Sequence, residues 1–231
     1  MVTLSARVRL TLDLVKPEDL DLVEPLLTTA PEIQPFYSRE LVESWMREGT
    51  FLKAVEPGGQ IIGVIHMRLV ADAVWLEGIA VRPDIRRKGV GRQLAVQAME
   101  FSGGSVFRIM ASARNVPSNS LANSLGFTEV DRVYLLEGRY VTSAEIAEEL
   151  NLRDADRSVI RGVRGFVDRL AWAPIEYYEG RIYYGNGVAL LETSPPYFAM
   201  GVAEGYRSFT REPSPSGEEF IVYELRRPRP S

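Results

Sequence analysis

The sequence has no cysteine and a single histidine, His66. Absent cysteine excludes disulfides, a cysteine nucleophile and thiolate metal sites, a usage that fits a cytoplasmic protein; no metal centre is expected. Lysine is scarce too, occurring only at Lys16, Lys53 and Lys88, so positive charge is almost all arginine. No apolar run reaches the ~18 residues that would mark a membrane span. Met1 to Leu20 alternates polar and apolar residues and lacks the apolar core of a signal peptide. Net charge is −4, which argues against nucleic acid as the partner of the whole molecule and leaves room for a local basic patch. The rest is ordinary for a globular protein: 231 residues, 45% apolar and 25% charged, enough for one large domain or two small ones.

The informative stretch is Val74 to Phe101. Val74 to Val81 (VWLEGIAV) is rich in β-branched and aromatic residues, as a buried strand is. Arg82-Pro83-Asp84 ends it, because proline donates no hydrogen bond to a ladder. Arg86-Arg87-Lys88-Gly89-Val90-Gly91 follows, and then Val90, Leu94, Ala98 and Phe101 recur at helical spacing up to Ser102-Gly103-Gly104. A helix start that opens from a basic glycine turn presents unpaired amides and the positive end of the dipole, which together suit a phosphate or pyrophosphate. A surface turn with solvated arginines is the plainer reading of the same residues. The run is neither G-x-G-x-x-G nor G-x-x-x-x-G-K-[ST].

Around it, Arg7 to Leu14 alternates as a first strand, and Lys16-Pro17-Glu18-Asp19 opens a helix burying Leu20, Val23, Leu26 and Leu27. Tyr37 to Glu48 reads as a second helix with Ser38 as cap and Leu41, Trp45 and Met46 on its buried face. Strands follow at Phe51 to Val55 and Ile61 to Val70, joined through Glu56-Pro57-Gly58-Gly59, and a turn at Ala71-Asp72 leads into the Val74 strand. Phe107 to Ala113 is a strand, Asn115 to Leu125 a short helix, and Thr128 to Leu136 another strand.

The basic run, R/Q-x-x-G-x-G after a strand ending Ile-Ala-Val, resembles the acyl-CoA signature of the GNAT superfamily of N-acetyltransferases. Asn115 to Phe127 (NVPSNSLANSLGF) is similar to that family's N-x-P-[SA]-x-x-L-[YA]-x-x-L-G-F segment. The resemblance covers roughly Arg7 to Leu136 and implies a mixed α/β sheet of the GNAT fold. It also implies a strand splayed from its neighbour, with Ile79, Ala80 and Val81 free to pair with the pantetheine arm of acetyl-CoA. The pyrophosphate is then expected on the amides of Arg87, Lys88, Gly89, Val90, Gly91 and Arg92. One or two side chains among Arg86, Arg87, Lys88 and Arg92 are expected to add charge, while Asn115 and Ser118 stand where relatives contact pantetheine or its thiol end. Acetyl-CoA is the implied cosubstrate, and a small-molecule or peptide amine the acceptor.

Such a reaction needs a base for the amine and donors for the carbonyl oxygen. Amides near Ile79 suit the second task. Glu77 is the candidate base, placed on the same face as Ile79 by strand alternation and at a position where the family often carries a glutamate. A salt-bridged or solvated glutamate is the plain alternative, and His66 in the neighbouring strand the catalytic one. The family's usual acid is a tyrosine one residue after the Leu121 position. This chain has Ala122 there, which leaves the acid unassigned, with Tyr134 or Tyr140 as stand-ins.

Past Leu136 the resemblance thins. A first domain at 1–138 and an accessory α+β domain at 139–231 are expected. The second would hold a helix opened by the Thr142-Ser143-Ala144-Glu145 box, a helix at Asp154 to Leu170, and a hairpin at Ile175 to Tyr184 turning at Glu179-Gly180. Further strands are expected at Val188 to Glu192, Tyr197 to Val202 and Phe220 to Leu225, then a loop at Arg211 to Gly217 and a disordered tail from Arg226. This domain reads as a degenerate GNAT-like half without a second CoA site, or else Phe220 to Leu225 completes the first sheet. Thr142 to Leu170 also reads as a helix pair of DNA-binding type, against which its balanced acids and arginines count. The leading expectation is an acetyl-CoA-dependent N-acetyltransferase, and the alternative a CoA-binding regulatory module with little turnover. Oligomeric state is open, a homodimer included.

Overall fold

The computed structural model of the chain describes residues 9–28, 37–138, 143–193, 206–210 and 218–228. It divides into two compact units, Met1–Glu129 with Tyr223–Ser231, and Val130–Val222. The expected strand at 197–202, the loop at 211–217, Thr142 and Tyr140 lie outside the described residues.

In the first unit the order is β1 (Thr11–Leu14), α1 (Leu20–Leu27), α2 (Arg39–Trp45), β2 (Thr50–Val55), β3 (Ile61–Val70), β4 (Ala73–Val81), α3 (Val90–Ser102), β5 (Val106–Ser112) and α4 (Val116–Leu125). Its strands lie in the order β1-β2-β3-β4-β5, antiparallel as far as β4 and parallel between β4 and β5. The last strand, β13 (Glu218–Arg226), lies beside β5 and ends in this unit, where Arg227 N–H donates to Ser105 O at 2.7 Å. Burial of every residue from Ile62 to Met67 requires cover on both faces of β3. That cover comes from α1 and α3, which both pack on β3 and β4. Phe107, Leu27, Leu52, Ile65 and Leu94 are fully buried, and each contributes about 1.5–3 kcal/mol by leaving water.

Two polar groups are built into this core. Lys53 on β2 meets Asp19 at 2.5 Å. Arg108 on β5, 1% exposed, donates to Asp72 at the β3–β4 turn and to Glu224 on β13, each at 2.8 Å. The charges are tied together, so neither is left bare in a low dielectric.

The helices differ from expectation at their edges. α2 spans Arg39–Trp45, its first turn held by Ser38 Oγ accepting from Leu41 N–H at 3.3 Å. In α3, Phe101 is not part of the buried stripe: it is 63% exposed, and Ala95 and Met99 are buried with Leu94 and Ala98.

The second unit contains most of β6 (Thr128–Gly138), then α5 (Ser143–Glu149), β7 (Arg153–Ala155), β8 (Gly165–Asp168), β9 (Ala171–Pro174), β10 (Ile182–Gly185), β11 (Val188–Leu191) and β12 (Tyr206–Thr210). β12 pairs with β6, β10 lies between β11 and β7, and β8–β9 is a separate hairpin. Small clusters hold it together, one built on Ile160, Tyr178 and Ile182 and one on Ala147, Leu152 and Tyr183.

Here the expected helix at Asp154 to Leu170 is overturned. The segment is β7, one 3-10 turn at Arg157–Ile160, and β8. Asp156 accepts from Ser158 N–H at 2.7 Å, a local bond that competes with helix propagation. Gly165 packs so tightly on Trp172 that a Cβ there would overlap the indole. The helix pair proposed for DNA reading therefore does not exist, and the helix–helix–strand order behind the GNAT-like reading of this unit goes with it. The hairpin turn is also displaced from its expected position. It lies at Asn186-Gly187, with φ of +53° and +79°, between β10 and β11, where both residues favour the left-handed region a tight hairpin requires. Ile175–Tyr177 is a 3-10 turn instead. Arg226 belongs to β13, not to a disordered tail.

Candidate active site

The site begins with an irregularity in β4. Val64 pairs with Ala80 but His66 pairs with Glu77, so β4 holds one more residue than β3 across this interval. Gly78 takes up the difference at φ +61°, a β-bulge in the left-handed region that glycine enters without penalty. It must also be small: a Cβ at Gly78 would stand 2.5 Å from the Trp45 ring of α2 and 3.4 Å from Leu27 of α1. The bulge breaks the alternation that placed Glu77 and Ile79 on one face.

On its other edge β4 departs from β5. Among the described residues the two strands are in register at Val74↔Phe107 and Trp75↔Arg108 alone, although β4 continues to Val81 and β5 to Ser112. Ile79, Ala80 and Val81 thus lie beyond the last residues of β4 that are in register with β5.

Beyond the strand, Arg86 folds back, its Nε donating to Val81 O at 2.8 Å. Arg87 (φ +62°) and Gly89 (φ +81°) are both left-handed, which turns the chain sharply into α3. Gly89 is the N-cap residue, and a Cβ there would meet nothing within 4 Å. The first bond across the cap runs from Gln93 N–H to Gly89 O at 3.0 Å, so the amides of Val90, Gly91 and Arg92 belong to the first turn, which lacks intrahelical acceptors. Val90 is buried and anchors the turn, while Arg87, Lys88 and Arg92 are exposed around it. Their positive charge and the helix dipole reinforce each other where an anion would sit.

The start of α4 closes the same neighbourhood in sequence. Asn115, buried, is its N-cap: Oδ1 accepts from Ser118 N–H at 3.1 Å, and the side chain also carries the amide NH₂ as a donor. Asn119 donates to Ser112 O at 3.0 Å and accepts from Tyr223 Oη at 3.1 Å, tying α4 to β5 and β13. Ala122 is fully buried. Tyr134 belongs to the second unit, where its hydroxyl donates to Glu219 at 3.3 Å.

Glu77 is the chemically dense point. Oε1 accepts from Arg68 Nε and from His66 Nδ1, each at 2.9 Å, and Oε2 accepts from Trp75 Nε1 at 3.2 Å. His66 must carry its proton on Nδ1 to make that bond, since an ionised carboxylate only accepts. Its ring is fully buried, stacked on Trp45 at 4.9 Å between centroids and edge-on to Phe51. A side chain so enclosed cannot meet a substrate, which removes His66 as an alternative base. Burial pushes the Glu77 carboxyl up, but the His66 hydrogen bond and the Arg68 charge outweigh it and hold the group below the usual glutamate range. Tyr37, edge-on to Trp45, reaches the same place. Burial, then the Glu77 charge, drives its hydroxyl well above the ordinary tyrosine value, against a smaller opposing effect of the Gly78 backbone amide.

Sequence reasoning singled out Glu77 and missed Tyr37, Arg68 and Trp75. Arg68 and Trp75 were legible in principle, because each is two residues from a site residue on the same strand face. Tyr37 was not, because nothing in the spacing links it to β4.

Residues 20–127 match the family described as the acetyltransferase (GNAT) family. No curated protein matches the sequence at a significant level. Among solved structures, the ribosomal-protein-S18-alanine N-acetyltransferase from Escherichia coli superposes with a TM-score of 0.51 at 16% identity, covering 94% of each chain. A provisionally assigned acetyltransferase from Thermoplasma acidophilum gives a TM-score of 0.62 at 17% identity, covering 94% of this chain and 100% of the other. At these identities the likeness is one of fold.

Proposed function

Residues 20–127 form a GNAT acetyltransferase domain, and on that premise we propose that the chain moves an acetyl group from acetyl-CoA to a primary amine. The observation that carries the proposal is the loss of β4–β5 register after Trp75, on the strand that leads into a helix start whose first intrahelical bond is made only at Gln93. The residues fit the cosubstrate: an open strand edge at Ile79, Ala80 and Val81 for an amide-bearing arm, and an open glycine cap at Gly89 for a diphosphate. Acetyl-CoA, when bound, supplies the activated thioester.

The chain's own groups then have separable tasks. Amides from Arg87 to Arg92 hold the diphosphate, with Arg87, Lys88 and Arg92 adding charge, and Arg86 bracing the end of β4. Asn115 keeps α4 in place and offers its NH₂, and Ser118 stands beside it. A backbone amide at the bulge, near Ile79, stabilises the carbonyl oxygen without reorganisation. Glu77, ionised and fixed by its three donors, accepts the proton that the attacking nitrogen sheds once its lone pair is committed to carbon. No tyrosine is needed at Ala122, because a thiolate is a tolerable leaving group at neutral pH.

Calorimetry with acetyl-CoA and with CoA, followed by thiol release across a panel of amines, tests the proposal. Absence of binding ends it. Binding without turnover on any amine favours the CoA-binding module, to which Ala122 at the acid position also points. Glu77→Gln is expected to lower kcat/KM by roughly 10²–10³-fold, within the range of general-base effects; an unchanged value at every pH clears Glu77 of the role.

A further inference from the structure

We infer that His66 is a positioning residue for this reaction: by filling the second acceptor site on Glu77 Oε1, it directs the proton of the attacking amine to Oε2. The inference rests on the acetyl-transfer reading above.

An ionised carboxylate has about four lone-pair sites, two on each oxygen. His66 Nδ1 and Arg68 Nε, each at 2.9 Å, take both sites on Oε1, and Trp75 Nε1 takes one on Oε2 at 3.2 Å. Among the described residues one site is left, and it is on Oε2. The Glu77 side chain is 11% exposed and the His66 side chain 0%, so the carboxylate can meet a substrate and the imidazole cannot. Facing Glu77 among the described residues are His66 and Arg68 from β3 and the Tyr37 hydroxyl ahead of α2. Trp45 of α2 and Leu27 of α1 cover the adjoining Gly78. Both donors to Oε1 come from β3. Without His66 a site on Oε1 would open toward that strand, and a proton resting there would be turned away from the nitrogen that gave it.

The position is a poor one for a histidine chosen for stability alone. Nε2 is buried and has no hydrogen-bond partner among the described residues, and a dry, unpaired acceptor is unfavourable. Gly49 closes over it: a Cβ there would stand 2.7 Å from Nε2 and would overlap the Met67 carbonyl. Trp45 stacks on one side of the ring and Phe51 meets it edge-on. An apolar side chain could fill this space without the orphaned nitrogen. What it could not supply is the Nδ1–H on Oε1.

In the transfer the amine lone pair forms the bond to the acetyl carbon, and the C–S bond breaks with its electron pair leaving on sulfur. The nitrogen proton passes to Glu77 Oε2 and from there to the thiolate, giving an N-acetyl amide and the free thiol. His66 Nδ1 keeps its proton and only holds the carboxylate.

The test uses the full chain with two variants. His66→Leu removes the donor, and His66→Asn carries an amide N–H the same number of bonds from the backbone as Nδ1. His66→Leu is expected to lower kcat roughly 10- to 100-fold, as misplacing a reacting group does, with KM for acetyl-CoA unchanged. It should also move the acid limb of kcat/KM to higher pH, because a hydrogen bond that favours the ionised Glu77 is gone. His66→Asn is expected to recover most of kcat and to bring the limb back. Two readouts need no turnover. His66 is the only histidine, so ¹⁵N-histidine labelling reports one ring, expected to carry its proton on Nδ1 and a lone pair on Nε2. The ¹³C carboxyl resonance of Glu77, assigned with Glu77→Gln, is expected to titrate at higher pH in His66→Leu than in the native chain. If His66→Leu does not fold, His66→Met takes its place, and the native tautomer decides in either case. An unchanged kcat without the donor, His66→Asn no better than His66→Leu, a proton on Nε2, or an unmoved Glu77 titration overturns the inference and leaves acetyl transfer standing. No thiol release from the native chain with any amine overturns both.

Discussion

Replacing Gly78 by alanine tests whether the bulge in β4 is shaped by the residues beneath it. Two costs add at this position. An L-residue held at φ +61° loses roughly 1–2 kcal/mol to its own backbone. The added methyl would also stand 2.5 Å from the Trp45 ring, an overlap of more than an ångström, and overpacking of this kind costs about 1–3 kcal/mol. The sum is about 2–5 kcal/mol, a large part of the stability of an ordinary domain. Gly59→Ala is the control, because Gly59 has φ +82° and an added methyl there would meet nothing within 4 Å; it should show the backbone cost alone, about 1–2 kcal/mol. Urea denaturation of both variants reads the difference, and the expected gap is about 1–3 kcal/mol. In a Trp45→Leu background the gap should close, since the clashing ring is gone. If Gly78→Ala is no worse than Gly59→Ala, or if the gap survives removal of Trp45, then α2 does not hold the bulge and the placement of the Ile79 amide needs another explanation.

Three further outcomes follow from the same structure. Arg108→Met removes the buried cation that Asp72 and Glu224 share, while Glu224 keeps Arg226 at 2.7 Å and Asp72 is 31% exposed, so the cost in urea should be about 1–3 kcal/mol; no measurable loss would mean the network is solvated. Asn115→Ala removes the α4 cap and should cost about 1 kcal/mol, whereas Asn115→Asp, which keeps the accepting oxygen, should restore most of the stability. Acid should unfold the protein earlier than its surface charge alone implies. The folded-state pKa values of Asp19, Asp72 and Glu77 are depressed: burial raises each, and Lys53, Arg108 and His66 with Arg68 respectively outweigh it. Their contribution is complete above the ordinary carboxylate range near pH 4 and is lost as pH falls through the lowered values. Stability measured from pH 6 to 2.5 should fall steadily below about pH 4, and a flat profile there would contradict those pairings.

Legibility in the sequence varied with how local the cause was. The strand at Val74 to Val81, the glycine turn and α3 depend on neighbouring residues, and all appear close to where the pattern placed them. The α4 cap was legible for the same reason. The Gly78 bulge was not, because it answers to Trp45, thirty-three positions away, and period-two alternation runs straight past it. Glu77 could be chosen from the sequence, but its saturation by Arg68, His66 and Trp75 is a property of the β3–β4 register, which itself shifts at the bulge. In the second unit the apolar spacing of Val159, Val163 and Phe166 imitates an α-helix, and the three pack on the Ile160 cluster from a 3-10 turn, a loop and a strand in that order. Asn186-Gly187 was a stronger hairpin signal than Glu179-Gly180, and the structure follows it.

The central claim is that a diphosphate binds main-chain amides at the start of α3 while a pantetheine arm lies along the free edge of β4. Following the backbone amide ¹H–¹⁵N resonances of the full chain during a CoA titration tests it most directly. The account predicts large shifts and slowed hydrogen exchange at Gly89, Val90, Gly91 and Arg92 and at Ile79 to Val81, with little change in β1 and β2. Binding that leaves the α3 amides unmoved, or that protects a different surface, would contradict it.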